Sequence, residues 1–184
     1  KEVSLKQFDF GFADTGSLVA GRTRTAKAKA IAILYGKAPH AVVYRKDSGI
    51  RTPKDLEGRI LADQQGAATQ RTFPAFAELA GFDLSKVKFI FMDAPSRLPS
   101  VLAGQAHGMP VYATEFPLVE QQSRKQNQEV GYFLWADYGF HVYSNGIIVH
   151  QDTIENKPDR VRRFLKATLQ GWAYAVDNPE EAVQ

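Results

Sequence analysis

The chain has 184 residues, 44% of them hydrophobic, no cysteine and a formal net charge of +3. That composition supplies a core and excludes disorder, disulfides, thiolate metal sites and a thiol nucleophile. The 23 basic and 20 acidic side chains are interspersed, with no run of like charge that would mark a nucleic-acid tail and no stretch of about 18 apolar residues that would span a membrane. The densest basic stretch (Arg22, Arg24, Lys27 and Lys29) alternates with Thr and Ala and reads as a solvated helix end and loop.

Along the chain, short apolar runs alternate with amphipathic stretches, the pattern of α/β architecture. Phe8 to Ala13 predicts a buried strand, and Asp14-Thr15-Gly16-Ser17 supplies capping side chains for a helix beginning near Leu18. Ala28 to Tyr35 and Ala41 to Tyr44 predict two more strands. Thr52 and Pro53 suit the N-cap and first position of a short helix, and Arg59 to Ala62 a strand. Gly66 to Ala80 predicts a helix with Phe73, Phe76, Ala77 and Ala80 on one face, closed by Gly81. Strands follow at Val87 to Met92 and Met109 to Ala113, separated by a helix over Ser96 to Ala103. Glu115 to Lys125 predicts a helix, and Val130 to Trp135 and Gly146 to His150 predict strands. The last helix opens at Pro158, with Val161, Phe164, Leu165, Thr168, Leu169 and Trp172 as its buried stripe.

The common chemistries leave no signature. His40, His107, His141 and His150 have no ligand spacing, so no metal is assigned. The nucleophile elbow, the P-loop and the Gly-x-Gly-x-x-Gly turn are absent, and the one Asp-Thr-Gly lacks the second loop that aspartic-protease chemistry needs. Two strand-to-helix turns remain, Asp14 to Ser17 and Gln65 to Thr69, whose small residues let a polar ligand approach helix N–H groups. Either turn alone reads as an ordinary connection, whereas both facing one cleft would make a ligand site. Tyr112, Glu115, Phe116, Trp135, Asp137, Tyr138, Tyr143 and Asn145 form a second constellation of the kind that sandwiches and orients a planar heterocycle, although about half of such aromatics belong to cores.

An ordered set of segments resembles the NMT1/THI5-like (SsuA/THI5-like) solute-binding proteins. They are Phe8 to Asp14, Ser48 to Ile50 with Thr52 to Gly58, Leu102 to Gln105, Trp135 to Gly139 with Tyr143 to Gly146, Pro158 through Phe164 to Trp172, and Asn178 to Ala182. The resemblance implies a two-lobed type II periplasmic-binding fold: residues 1–46 in lobe one, 47–143 in an inserted lobe two, and 144–184 returning to lobe one. It further implies a non-enzymatic component of an ABC importer that closes on a small ligand by hinge motion and docks on a permease with its ATPase, outside the cytoplasm. No cofactor and no nucleic-acid partner are implied. Ligand contacts carry over to Asp14, Thr15 and Ser17; to Gly66, Ala67, Ala68 and Thr69; to Tyr112 and Glu115; and to Asp137 and Tyr138. The family's ligands include thiamine-pyrimidine precursors, alkanesulfonates, taurine and nitrate, and the Asp137-Tyr138-Gly139 and Tyr143-Ser144-Asn145 stretches look most like the pyrimidine branch.

Two departures stand out. Gly104-Gln105-Ala106-His107-Gly108 lacks the acidic residue of the family pattern, and the family's first strand, first helix and second strand have no counterpart here. A chain opening at Lys1, without Met or a visible signal peptide, is therefore expected to be part of a longer protein. A pyrimidine-synthesis enzyme of the same fold is the alternative, although such enzymes carry a cysteine-rich motif. A ligand-sensing regulatory domain is the third possibility.

Overall fold

The computed structural model describes residues 2–183. They form two compact units, one of residues 2–34 with 145–183 and the other of Tyr35–Ser144, so the second is inserted into the first through two chain crossings.

The inserted unit is a sheet between two helical layers. Its strands are β3 (His40–Arg45), β4 (Ile60–Asp63), β5 (Lys88–Phe91), β6 (Gly108–Tyr112) and β7 (Val130–Leu134), in the order β5-β4-β6-β3-β7. β4 runs parallel to β5 and β6, whereas β3 is antiparallel to β6 and β7. Alternation along the strands feeds two cores. Val42 and Leu61 face α2 (Ala68–Ala80), packing with Phe73, Phe76, Phe133 and Trp135. Ala41, Val43 and Ala62 face the opposite layer, where α3 (Ala94–Leu102) and α4 (Phe116–Lys125) contribute Leu98, Val101 and Val119. As the helical period predicts, Phe73, Phe76 and Ala77 are buried and Gly81 ends α2 in the left-handed conformation, φ 72°. An expected first boundary at Lys46 would leave β3 in lobe one. Its hydrogen bonding on both edges, to β6 and β7, assigns it to the inserted unit and puts the crossing between Leu34 and Tyr35.

The other unit is built on a three-stranded antiparallel sheet, with β8 (Asn145–His150) between β1 (Phe10–Asp14) and β2 (Ala28–Ile33). Helices α1 (Thr15–Arg22), α5 (Gln151–Asn156), α6 (Pro158–Asp177) and α7 (Pro179–Ala182) complete it. Gly146 permits the close β2–β8 approach, because a Cβ there would stand 2.6 Å from the Ala32 carbonyl oxygen. The ring of Phe164 stacks on Phe10, with centroids 3.8 Å apart. The expected buried stripe of α6 is only partly so: Val161 is buried, Phe164, Leu165 and Thr168 are half-buried, and Leu169 and Trp172 are 57% and 42% exposed. Helical periodicity defines an apolar face but not what covers it, and no described element covers the distal half of this one.

Candidate functional site

The antiparallel pairing of β3 brings chemistry to one end of the inserted unit's sheet. There the carboxyl ends of β4 and β6 meet the start of β3 and the end of β7, with His40 opposite Tyr112 and Ala41 opposite Leu134. Open α/β sheets characteristically bind ligands beyond the carboxyl ends of parallel strands.

Asp63 is the last residue of β4 and is fully buried. Its Oδ1 accepts the Gln64 N–H at 2.8 Å. Its Oδ2 makes no hydrogen bond of ordinary geometry, although the Thr69 hydroxyl lies near the carboxylate. Burial pushes the Asp63 carboxyl above its usual range; the Gln64 N–H, the Arg97 guanidinium and Thr69 pull the other way.

Arg97, on α3, is the hub. Its Nη1 donates to the Pro110 carbonyl at 2.8 Å and lies 3.9 Å from Asp63 Oδ1, while Nη2 is 3.6 Å from Glu115 Oε2. Glu115 Oε1 accepts the Tyr112 N–H at 2.9 Å, which pins the turn from β6 into α4. Tyr112, Glu115, Arg97 and Asp63 thus form one polar line across the strand ends. With Asp63 ionised its formal charge is −1, and with Asp63 protonated it is zero; neither state attracts an anion.

Aromatic rings back this line. His40 stacks on Trp135 at 4.9 Å and tilts against Tyr112 at 5.1 Å, and Trp135 lies parallel to Phe76 at 4.4 Å. His40 and Trp135 are fully buried, whereas Tyr112 and Glu115 keep solvent access. The Asp63-to-Thr69 turn adds the start of α2, where no side chain caps Ala67. Gly66 adopts φ 76° and donates its N–H to Gln70 Oε1, while Thr69 is buried beside Asp63.

The site residues read from sequence therefore fall into separate groups. Gly66, Ala67, Ala68, Thr69, Tyr112 and Glu115 belong to this end of the sheet. Tyr138 packs its ring on Phe133 at 5.6 Å and lies on the core near Tyr44, at the other end of β3, while Asp137 is exposed. Asp14, Thr15 and Ser17 lie in the other unit, where Asp14 caps α1 through the Ser17 N–H at 2.9 Å. The α1 terminus thus already holds a carboxylate.

Asp63 and Arg97 went unremarked in the sequence, and His40 was weighed there only as a metal ligand. A charged residue ending an apolar strand before a Gly turn was the available signal for Asp63; Arg97 and His40 gave none. Among the described residues no group of His, Asp and Glu could hold a metal ion, and no helix is long and apolar enough to cross a membrane.

An α/β unit inserted into another through two crossings, with its polar cluster at the carboxyl strand ends, defines the type II periplasmic-binding fold. The chain belongs to the NMT1/THI5-like family, whose sequence profile matches residues 1–182. Among curated relatives, a riboflavin-binding protein of Chloroflexus aurantiacus is 27% identical over 167 residues, covering 90% of this chain and 46% of the relative. A formylaminopyrimidine-binding protein of Halalkalibacterium halodurans is 22% identical over 170 residues, covering 90% of this chain and 50% of the relative. The chain thus spans about half the length of these relatives. The aliphatic sulphonate-binding protein SsuA of Escherichia coli superposes with a TM-score of 0.78 at 12% identity, covering 98% of this chain and 60% of that one. An SsuA of Methylobacillus flagellatus gives 0.72 at 14% identity, covering 95% and 52%. At such identities the likeness carries the fold alone.

Proposed function

We propose that this chain is the ligand-capturing part of a solute-binding protein that serves an ABC permease and its ATPase outside the cytoplasm. Its ligand is a planar nitrogen heterocycle bearing N–H donors, of the aminopyrimidine type. The observation that carries this choice is the Asp63–Arg97–Glu115 line, in which one guanidinium is already shared between two carboxylates. A sulfonate or nitrate would meet no uncommitted positive charge there. A heterocycle can donate to Glu115 and lie against the Tyr112 ring. The names of the two curated relatives agree in chemistry, since riboflavin and formylaminopyrimidine both contain a pyrimidine ring. Family membership and the relatives' names support binding over catalysis.

A thermal-shift screen with aminopyrimidines, formylaminopyrimidine, riboflavin, taurine, alkanesulfonates and nitrate tests the proposal, because a ligand of the native state raises its melting point. Saturable stabilisation by a heterocycle is expected. Glu115→Gln keeps an acceptor for the Tyr112 N–H but removes the charge, so it should weaken that binding about tenfold and leave the melting point nearly unchanged. Stabilisation by sulfonates or nitrate through this same cluster, or none by any compound in folded protein, overturns the assignment.

A further inference from the structure

The opposite end of the same sheet carries the opposite chemistry. Where β3 ends and β4 and β6 begin lies a recess of about 230 Å³, lined among others by Arg45, Asp47, Ser48, Arg59, Gly104 and His107. The backbone ties these strand ends together: Arg45 N–H donates to the His107 carbonyl at 3.3 Å, and His107 N–H to the Ile60 carbonyl at 2.8 Å.

Three donors around the recess are unspent. Arg45 gives Nε and Nη2 to the two oxygens of Asp47, at 2.8 and 2.6 Å, which leaves Nη1. That nitrogen lies against Gly104, where a Cβ would stand 2.6 Å from it, so only glycine leaves it uncovered; the residue also needs φ 77° to end the α3 turn. The Arg59 side chain makes no hydrogen bond or ion pair with any described residue, the residue's own bonds being those of its backbone to Leu56 and Lys88. The carboxylate it influences, Asp55, bonds instead to the backbone N–H groups of Arg51 and Thr52. His107 Nδ1 accepts the Ile60 N–H at 3.1 Å, which places the ring proton on Nε2 as a donor that finds no acceptor among the described residues. Ser48 is already used, donating to the Arg45 carbonyl at 2.6 Å. Arg45 and Asp47 cancel in charge, so Arg59 leaves the recess at +1.

We propose that this recess binds a small oxyanion of the phosphate or sulfate type, held by Arg45 Nη1, the Arg59 guanidinium and His107 Nε2–H. Such bonds are charge-assisted, and two guanidinium faces with one neutral N–H suit an acceptor that presents several oxygens. The site is separate from the Glu115 cluster, at the other end of β3, β4 and β6, and does not depend on the ligand proposed there.

The test is titration of the 184-residue protein with inorganic phosphate, and separately with sulfate and chloride, at constant ionic strength, followed by amide NMR. Saturable shifts confined to the segments around residues 45–48, 59 and 104–107 are expected for phosphate or sulfate and not for chloride. Arg59→Gln should weaken binding at least tenfold without lowering the melting point, since the guanidinium bonds to nothing in the fold and the backbone bonds to Leu56 and Lys88 are kept. His107→Gln, which can both accept from Ile60 and donate to the anion, should retain binding that His107→Leu loses. Glu115→Gln should leave it unchanged. An equal response to chloride, unsaturable shifts spread over the surface, or undiminished binding by Arg59→Gln overturns the proposal.

Discussion

Removing Arg97 should turn Asp63 into a pH-dependent fault in the inserted unit. In Arg97→Met the carboxylate loses a charge 3.9 Å away, and the Pro110 carbonyl loses its donor. At that distance two unit charges interact by about 4 kcal/mol at an effective dielectric constant near 20. Losing one partner of a buried pair costs ~3–5 kcal/mol in practice. Asp63 can escape only by taking a proton. At pH 7 that costs roughly 4 kcal/mol for a carboxyl of ordinary pKa near 4, and about 1.4 kcal/mol less for each pH unit of acidification. The destabilisation should therefore be about 4 kcal/mol at pH 7 and near ~1.5 kcal/mol at pH 5. The sign follows from linkage. The folded-state pKa of Asp63 is already raised by burial, and losing Arg97 raises it further. The folded state then holds a proton that the unfolded state releases, so stability falls as pH climbs from the ordinary carboxylate range through the raised folded value. Thermal unfolding of the parent protein, Arg97→Met and Asp63→Asn/Arg97→Met at both pH values measures this. At pH 7 the single variant should melt about 8–16 °C lower, at ~2–4 °C per kcal/mol for a chain of this size. Much of the loss should return at pH 5, and the double variant should recover stability at pH 7. An equal loss at both pH values, or a double variant no better than the single one, refutes the reasoning.

Two further predictions concern stability. Trp135 is fully buried against Phe76, Phe73, Phe140 and His40, yet its Nε1–H has no acceptor among the described residues. Trp135→Ala should cost ~3–5 kcal/mol, whereas Trp135→Phe, which also removes a buried unsatisfied donor, should cost much less; similar losses by denaturant unfolding would contradict this. The Glu57 carboxyl accepts the Asp83 N–H and bonds to Lys54 and Lys86, which holds its pKa down to about 2. Its contribution is complete above the ordinary value of 4.5 and is lost as pH falls towards 2, so Glu57→Gln should flatten the acid limb of stability over that window. An unchanged slope in a pH series of melting curves would refute it.

Much of the local structure was legible because it depends on near neighbours. The Asp14 cap, Thr52 at the N-cap with Pro53 behind it, the αL Gly81 and the buried face of α2 all involve residues within four positions of one another. The α/β class followed from the alternation of strand and helix periods, and the resemblance of ordered segments indicated one lobe inserted in another. Where that inserted unit begins was decided by β3, whose partners β6 and β7 lie more than 60 residues ahead in the chain. No local period carries such pairings, because they depend on which edges remain free once the other strands have packed. The candidate site divides in the same way. Glu115 and the Gly66 turn could be read as binding chemistry, but the joining of Asp63 to Arg97 and Glu115 could not. Nor could the turning of Tyr138 onto the core while its neighbour Asp137 faces solvent, or the exposure of Trp172 on an amphipathic helix. Sequence alone determined which residues want burial, a cap or a partner. Only the tertiary structure decided which partner each received, because strand order and side-chain convergence minimise the free energy of the whole chain rather than of any segment.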